Sequence, residues 1–319
     1  GFVMIAQQAG SFDLSVIREF FKTNALSSVA VSLILLGILS KSATLPFHSW
    51  LPDAGVAPSP VTALLHAAVL VKIGVYVFAR LFIATLSLDG FWHVAVPVIA
   101  GVSMLVSGAA ALVETDLKRI IAYSTVSQIG FIFFGLSIGN ALGVAGGLLY
   151  IFMHGLAKGG LFLCAGIVEQ NTKTKDITKM GGLMATMPVT AVSFLFCAFS
   201  VMGVPPFGGL ARDRKALNEP PLGGFFSKYM VFSAGIQSGH FWITTVFLLG
   251  AFLTILYLFR VFHLVFLGEA RTSGAVEKSP VMVLSVAMLA GLSLIAGIFI
   301  SYPADLVKAI IAQMMGVSR

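Results

Sequence analysis

Residues Leu36 to Asp53 read "LGILSKSATLPFHSWLPD". An apolar run with the look of a membrane helix takes up Lys41, then Pro46 and His48, before it ends. In lipid a charged side chain is costly, and a proline removes a rung from a backbone ladder that no water can repair. A span that carries both is opened for a purpose, and the rest of the chain has to supply it.

The composition settles the setting. Of 319 residues 58% are hydrophobic and only 10% are charged, and the mean hydropathy is +0.98. A soluble domain carries about 25% charged residues, so less than half the usual polar coating is present. The 27 Phe and 33 Gly suit a polytopic helical membrane protein, in which glycine lets helices approach closely. The formal charge of +7 does not point to nucleic acid, because most basic residues fall in short loops, where they set membrane orientation. Cys164 and Cys197 both sit inside apolar runs with no CxxC spacing. They read as small buried hydrophobes, with no metal ligands and no iron–sulfur centre on this chain.

Runs of about 20 apolar residues mark spans. They fall near 26–45, 60–83, 91–113, 119–138, 141–168, 185–205 continuing at 225–236, 240–262 and 281–302, with an amphipathic end over 305–315 that either begins another helix or lies at the interface. The expected fold is an all-α polytopic membrane protein of about eight or nine transmembrane helices, two of them discontinuous. "GFVMIAQQAG" at the start reads as the last turns of a helix whose beginning is missing. Lys118, Arg119, Lys173, Lys175, Lys179, Arg260, Arg271 and Lys278 collect on one side, against Arg18, Lys22 and Arg80 on the other. The first group is thereby placed in the cytoplasm.

Two spans are broken by proline, one at Pro46 and one at Pro205 and Pro206. Paired broken helices point to a transporter made of inverted repeats, with freed backbone groups facing a wet cavity; simple proline kinking is the plainer explanation. Lys41, Lys72, Lys158 and Lys228 lie within or beside these spans. Each central lysine costs roughly 2.5–3.5 kcal/mol on insertion scales, so four would burden a passive scaffold with about 10 kcal/mol or more. Snorkelling to the interface is the competing reading, strongest for Lys228. Lys72 has about 18 Å of helix behind it, which makes snorkelling hard. His154 and Lys158 are spaced i, i+4 and share a helix face, whereas His66 and Lys72 are six apart and should address different neighbours. A lone histidine on an apolar face is more often structural, and a lysine one turn away shifts that balance. A desolvated amine and an imidazole can exchange protons at working pH. No Asp or Glu lies well inside a span; Glu114, Asp116 and Glu169 sit at the ends. The buried amines therefore want a partner, and the missing N-terminal helices are its expected source.

At these residues a family resemblance becomes visible. "KSATLPFHSWLPDAGVAPSPVTALLHAAVLVKIGVYVFAR" (41–80), "TDLKRIIAYSTVSQIGF" (115–131) and "HGLAKGGLFLCAG" (154–166) resemble the signatures of the antiporter-like subunits of respiratory complex I, Mrp-type Na+/H+ antiporters, membrane-bound hydrogenases and formate hydrogenlyases. With "GVPPFGG" and "FFSKYMV" the resemblance spans about 41–236. It implies an inverted-repeat antiporter-like fold lacking its N-terminal helices: the end of a truncated helix and a loop over 1–25, the end of a first repeat over 26–90, a second repeat over 91–268, and one or more C-terminal helices over 269–319. It implies that Lys41 is the central residue of an inlet half-channel, paired with a glutamate on an earlier helix that this sequence does not contain. His66 and Lys72 would relay toward mid-membrane, His154 and Lys158 would continue the relay, and Lys228 would serve the exit. One departure stands out. "PPFGG" (205–209) and "PPLGG" (220–224) are near-duplicates, and the extra residues Leu210 to Gly224 bring five charges to what should be membrane depth. This puts the role of Lys228 in question.

The resemblance implies a proton- or sodium-translocating subunit of a multisubunit redox-driven pump in a prokaryotic-type energy-transducing inner membrane. No cofactor is expected on this chain. Partner subunits would include homologous antiporter-like subunits and a peripheral redox arm carrying iron–sulfur clusters, with flavin or nickel–iron according to the donor. The alternatives are a subunit of a Mrp-type exchanger without redox chemistry, and a degenerate structural subunit. Transport of a small solute fits less well, because such sites mix aromatic and hydrogen-bonding groups around a broken helix.

Overall fold

A computed structural model describes residues 1–204, 223–272 and 274–315. Most of this length is helical. In order the helices are α1 (Phe2–Ala9), α2 (Leu14–Phe20), α3 (Ser28–Lys41), α4 (Trp50–Asp53), α5 (Ser59–Ala63), α6 (Leu70–Phe82), α7 (Trp92–Val113), α8 (Leu117–Ser137), α9 (Ala141–Thr172), α10 (Pro188–Met202), α11 (Gly223–Gln237), α12 (Phe241–Phe266), α13 (Pro280–Ile298) and α14 (Ser301–Met315). Among the described residues, six helical stretches are long and apolar enough to cross a membrane: Ser59–Phe82, which joins α5 and α6, and α7, α8, α9, α12 and α13.

The middle of the bundle is α8. Burial covers 94% of its most apolar stretch but only 33% for α12 and 22% for α13, which places those two at the outer rim of the bundle. α8 packs against α7 and α9, and α9 in turn carries α10, α11 and α13. The approach of α8 to α9 depends on missing side chains: a Cβ on Gly143 would lie 2.7 Å from the Gly135 carbonyl. The helix starts are fixed locally. The Asp116 carboxylate accepts from the N–H groups of Lys118 and Arg119 to begin α8, and the Asn140 side chain accepts from Gly143 N–H to begin α9.

Both interrupted spans belong to shorter helices. α3 has 14 residues, or about 21 Å, which is less than the roughly 30 Å of a hydrocarbon core. It stops at Lys41, five residues ahead of the proline, for a steric reason. Pro46 has no N–H for the Ser42 carbonyl, and its ring would collide with that carbonyl in a continued helix. Ala43 takes a left-handed φ of 51°, and helix resumes at Trp50. Ser42 Oγ donates to the Val71 carbonyl at 3.0 Å, which sets the end of α3 beside the middle of the Ser59–Phe82 span. In the second interruption α10 ends at Met202 and α11 begins at Gly223. Pro205, Pro206 and all but the last two residues of the 210–224 segment lie outside the described residues.

A wide turn that no residue pattern announces lies between α5 and α6. There the span runs as a π-helix over Leu64–Ala68, with Val69 N–H donating to the Leu64 carbonyl at 3.1 Å. His66 sits in the middle of it. α14 is amphipathic: Val307 and Ile311 are buried in the bundle, Tyr302 and Leu306 are exposed, and Met314 lines a recess with Arg18 and Leu86.

Candidate ion-translocation site

The charged residues divide into two populations. At one end of the bundle most of the cations have an acidic or carbonyl partner. Lys118 pairs with Glu169 at 2.7 Å, Arg119 with Asp53 and Glu114 at 3.0 Å each, Lys175 with Glu169 at 3.5 Å and Lys179 with Asp176 at 3.6 Å. Arg260 and Arg271 donate to the Glu114 and Thr178 carbonyls. These contacts gather onto one face most of the residues that loop charge had grouped. Burial alone would push the Glu114 carboxyl up. Hydrogen bonds from the Thr115 and Asp116 N–H groups and from Arg119 outweigh it and hold Glu114 below the usual glutamate range. At the other end Arg18 and Lys22 line a recess with the loop after α6.

Inside the bundle the cations have no acid. Lys72, Lys158 and Lys228 are buried, and among the described residues none of them forms an ion pair. Lys72 Nζ donates to the Ile151 carbonyl at 2.8 Å, reaching it past Gly155, where a Cβ would stand 3.0 Å from the amine. Lys158 Nζ donates to Ser124 Oγ at 2.5 Å and to the Ile121 carbonyl at 3.1 Å. Lys228 Nζ donates to the Val201 carbonyl at 2.7 Å and to that of Met202 at 3.5 Å, and it lies 4.4 Å from the centre of the Phe131 ring. The last turn of α10 thus offers carbonyls left without an intrahelical partner, the negative end of a helix dipole, to a lysine on α11. A broken helix supplies that acceptor; an unbroken one would not.

The two histidines complete the set. His66 and His154 are buried, and among the described residues neither ring nitrogen of either has a hydrogen-bond partner. A structural histidine in an apolar interior ordinarily spends its N–H on a neighbour. His66 instead packs on the Phe162 ring with centroids 4.6 Å apart, and the charge of Lys158 bears on it. His154 lies within electrostatic reach of Lys72, Lys158 and Lys228 together. His66 and Lys72 address different neighbours, as their spacing suggests, but on one and the same helix. Both meet α9, His66 at Phe162 and Lys72 at Ile151, because the π turn between them breaks ordinary helical spacing.

Lys41 stands apart. It is exposed on the flank of the bundle at the depth of Val71, and the structure does not join it to the other five residues. Sequence reasoning also passed over a polar chain on α8. Ser124 Oγ and Tyr257 OH are 2.7 Å apart, Gln128 Nε2 donates to Tyr257 OH at 3.3 Å and to Thr254 Oγ1 at 3.0 Å, and Tyr150 OH donates to Gln128 Oε1 at 2.6 Å. The signal was available: "STVSQ" puts Ser124 and Gln128 one turn apart on a helix otherwise fit for lipid. Among the described residues no group of three or more His, Cys, Asp or Glu side chains is arranged to hold a metal ion.

Interrupted helices around buried, acid-free amines define a polytopic membrane protein of the antiporter-like class. The match to known proteins makes the assignment specific. The chain belongs to the NADH:quinone oxidoreductase/Mrp antiporter transmembrane family, whose model covers residues 1–254. It is 34% identical to a Na(+)/H(+) antiporter subunit from Alkalihalophilus pseudofirmus over 94% of this chain and 39% of that protein. It is 36% identical to the NADH-quinone oxidoreductase subunit L of Escherichia coli over 89% of this chain and 44% of that protein. Its fold matches a chain of the Mrp complex from Dietzia sp. DQ12-45-1b with a TM-score of 0.86 at 21% identity, covering 98% of this chain and 64% of the other. This chain therefore spans less than half the length of these two curated relatives.

Proposed function

We propose that this chain carries protons, or sodium ions, through the membrane as an antiporter-like subunit of a multisubunit complex. The observation that supports this reading most is the set of buried lysines without acids. Among the described residues, Lys72, Lys158 and Lys228, with His66 and His154 among them, are held only by carbonyls, a hydroxyl and aromatic rings. A passive scaffold gains nothing from amines kept at this depth, whereas a path for protons needs groups that can take one up and release it. Lys41, beside a helix break, is the inlet in this reading; Lys228 serves the exit. The two interruptions belong to two inverted repeats, and the membrane is an energy-transducing inner membrane.

The drive is redox chemistry in partner subunits that carry iron–sulfur clusters and flavin or nickel–iron, as in NADH-quinone oxidoreductases. A second reading, ion exchange without redox chemistry, is favoured by the 34% identity, over 94% of this chain, to a protein of a Na(+)/H(+) antiporter. Purification of the intact complex separates the two. Flavin, iron–sulfur or nickel in the preparation selects the redox pump, and colourless partner subunits select the exchanger. For either drive, Lys41→Ala is expected to abolish ion movement in reconstituted liposomes while the complex still assembles. Normal movement with that substitution would reject Lys41 as the inlet.

A further inference from the structure

Tyr150 sits between a buried histidine and a buried lysine. It lies on α9 one turn before His154, and its ring meets the imidazole edge-on with centroids 5.8 Å apart. The same ring lies 5.5 Å from the Lys228 ammonium, which has Phe131 as its other aromatic neighbour. The phenol is tied twice. It donates to Gln128 Oε1 at 2.6 Å and to the Val201 carbonyl at 3.3 Å, the same carbonyl that accepts from Lys228.

The orientation of the Gln128 amide is fixed by its surroundings. Thr254 gives its own proton to the Gly250 carbonyl at 2.8 Å, so the atom facing Thr254 Oγ1 must be a donor. That turns Nε2 toward Thr254 and Tyr257, leaving Oε1 for the Tyr150 hydroxyl. Tyr257, accepting from Gln128, shares a hydrogen bond with Ser124, which accepts from Lys158. Polar contacts thus run from Lys158 to Lys228 without a gap, yet they conduct nothing. A relay needs each group to accept one proton and release another; the amide N–H₂ of Gln128 accepts none, and the Val201 carbonyl releases none. His154 remains as the exchangeable group between the two lysines, and the Tyr150 ring touches both His154 and Lys228.

We propose that Tyr150 is a latched barrier: its ring separates His154 from Lys228, and Gln128 holds the ring closed. This rests on the ion-translocation reading above. The proton leaves the His154 imidazolium, restoring the neutral ring, and arrives on the neutral Lys228 amine when the phenol swings aside. Tyr150 and Gln128 are positioning residues and take no proton themselves.

The test is passive proton flux through the undriven complex in liposomes under an imposed pH gradient. Tyr150→Ala is expected to raise the flux severalfold, and Tyr150→Phe and Gln128→Leu, which release only the latch, to raise it less. In each case Lys228→Ala added to the variant should abolish the excess. Wild-type flux in an assembled Tyr150→Ala complex would overturn the proposal. A leak that survives Lys228→Ala would also overturn it, since that marks a packing defect. Should Tyr150→Ala fail to assemble, the other two variants decide by the same two outcomes. Lys228→Ala alone must stop driven translocation. If it does not, the translocation reading itself fails; if it does while the Tyr150 and Gln128 variants stay tight, only the barrier falls.

Discussion

Lys118 on α8 and Lys158 on the neighbouring α9 are both buried, and their amines are held in opposite ways. Lys118 meets the Glu169 carboxylate at 2.7 Å. Lys158 meets a serine hydroxyl and a peptide carbonyl. Where the fold needs a fixed cation it supplies an acid, and the pair becomes a fastening at the membrane face. Where it supplies only neutral acceptors, no counter-charge pins the amine, which is what the proposed proton path requires. The same contrast separates the whole charged end from the bundle interior.

Importing the first arrangement into the second is the strongest way to break the contrast. Ser124→Asp puts a carboxylate beside Lys158, and driven translocation should fall at least about tenfold, a barrier increase near 1.4 kcal/mol, with assembly retained. Undiminished translocation by that variant would show that a pinned Lys158 still works. The reverse substitution, Lys118→Met, should leave translocation in place and lower thermal stability by about 1–2 kcal/mol, because Glu169 keeps only the longer contact to Lys175. Loss of flux at unchanged stability would merge the two populations. Gly155→Ala places a methyl against the Lys72 amine and should slow translocation partially. Its stability should stay within about 1 kcal/mol, since the gain in helix propensity opposes the contact; an unaltered rate would take Lys72 out of the path. The smallest effect concerns Glu114, whose carboxyl is held low in the folded protein. Its stabilisation is complete at neutral pH, above the unfolded value, and is lost as the pH falls through the depressed folded value. Melting curves of Glu114→Gln should therefore lie below wild type by at most about 1 kcal/mol at neutral pH and converge with it in acid.

The spans were legible because a run of apolar residues long enough for the bilayer has few other uses. The first interruption was legible for the same reason: Pro46 dictates where the Ser42 carbonyl loses its partner, and α3 stops at Lys41 accordingly. The pairing of His154 with Lys158 on one face followed from helical spacing alone. The π segment around His66 did not, since Leu64–Ala68 carries no residue that demands a wide turn. What each lysine touches was beyond reach as well. The carbonyls of Ile151, Ile121 and Val201 carry no side-chain signature, and only packing brings them to an amine. Tyr150, Gln128 and Tyr257 were visible as polar atoms on apolar helices but not as one connected chain, because they come from α8, α9 and α12.

The most direct measurement uses Lys158→Met in the intact complex, reconstituted in liposomes, with driven ion movement and thermal melting followed on the same preparation. Translocation should vanish while the melting temperature holds or rises, because methionine fills the site without an uncompensated amine to desolvate. Normal pumping, or collapse of the fold with no chance to pump, would mean that the lysine serves the structure and that the path lies elsewhere.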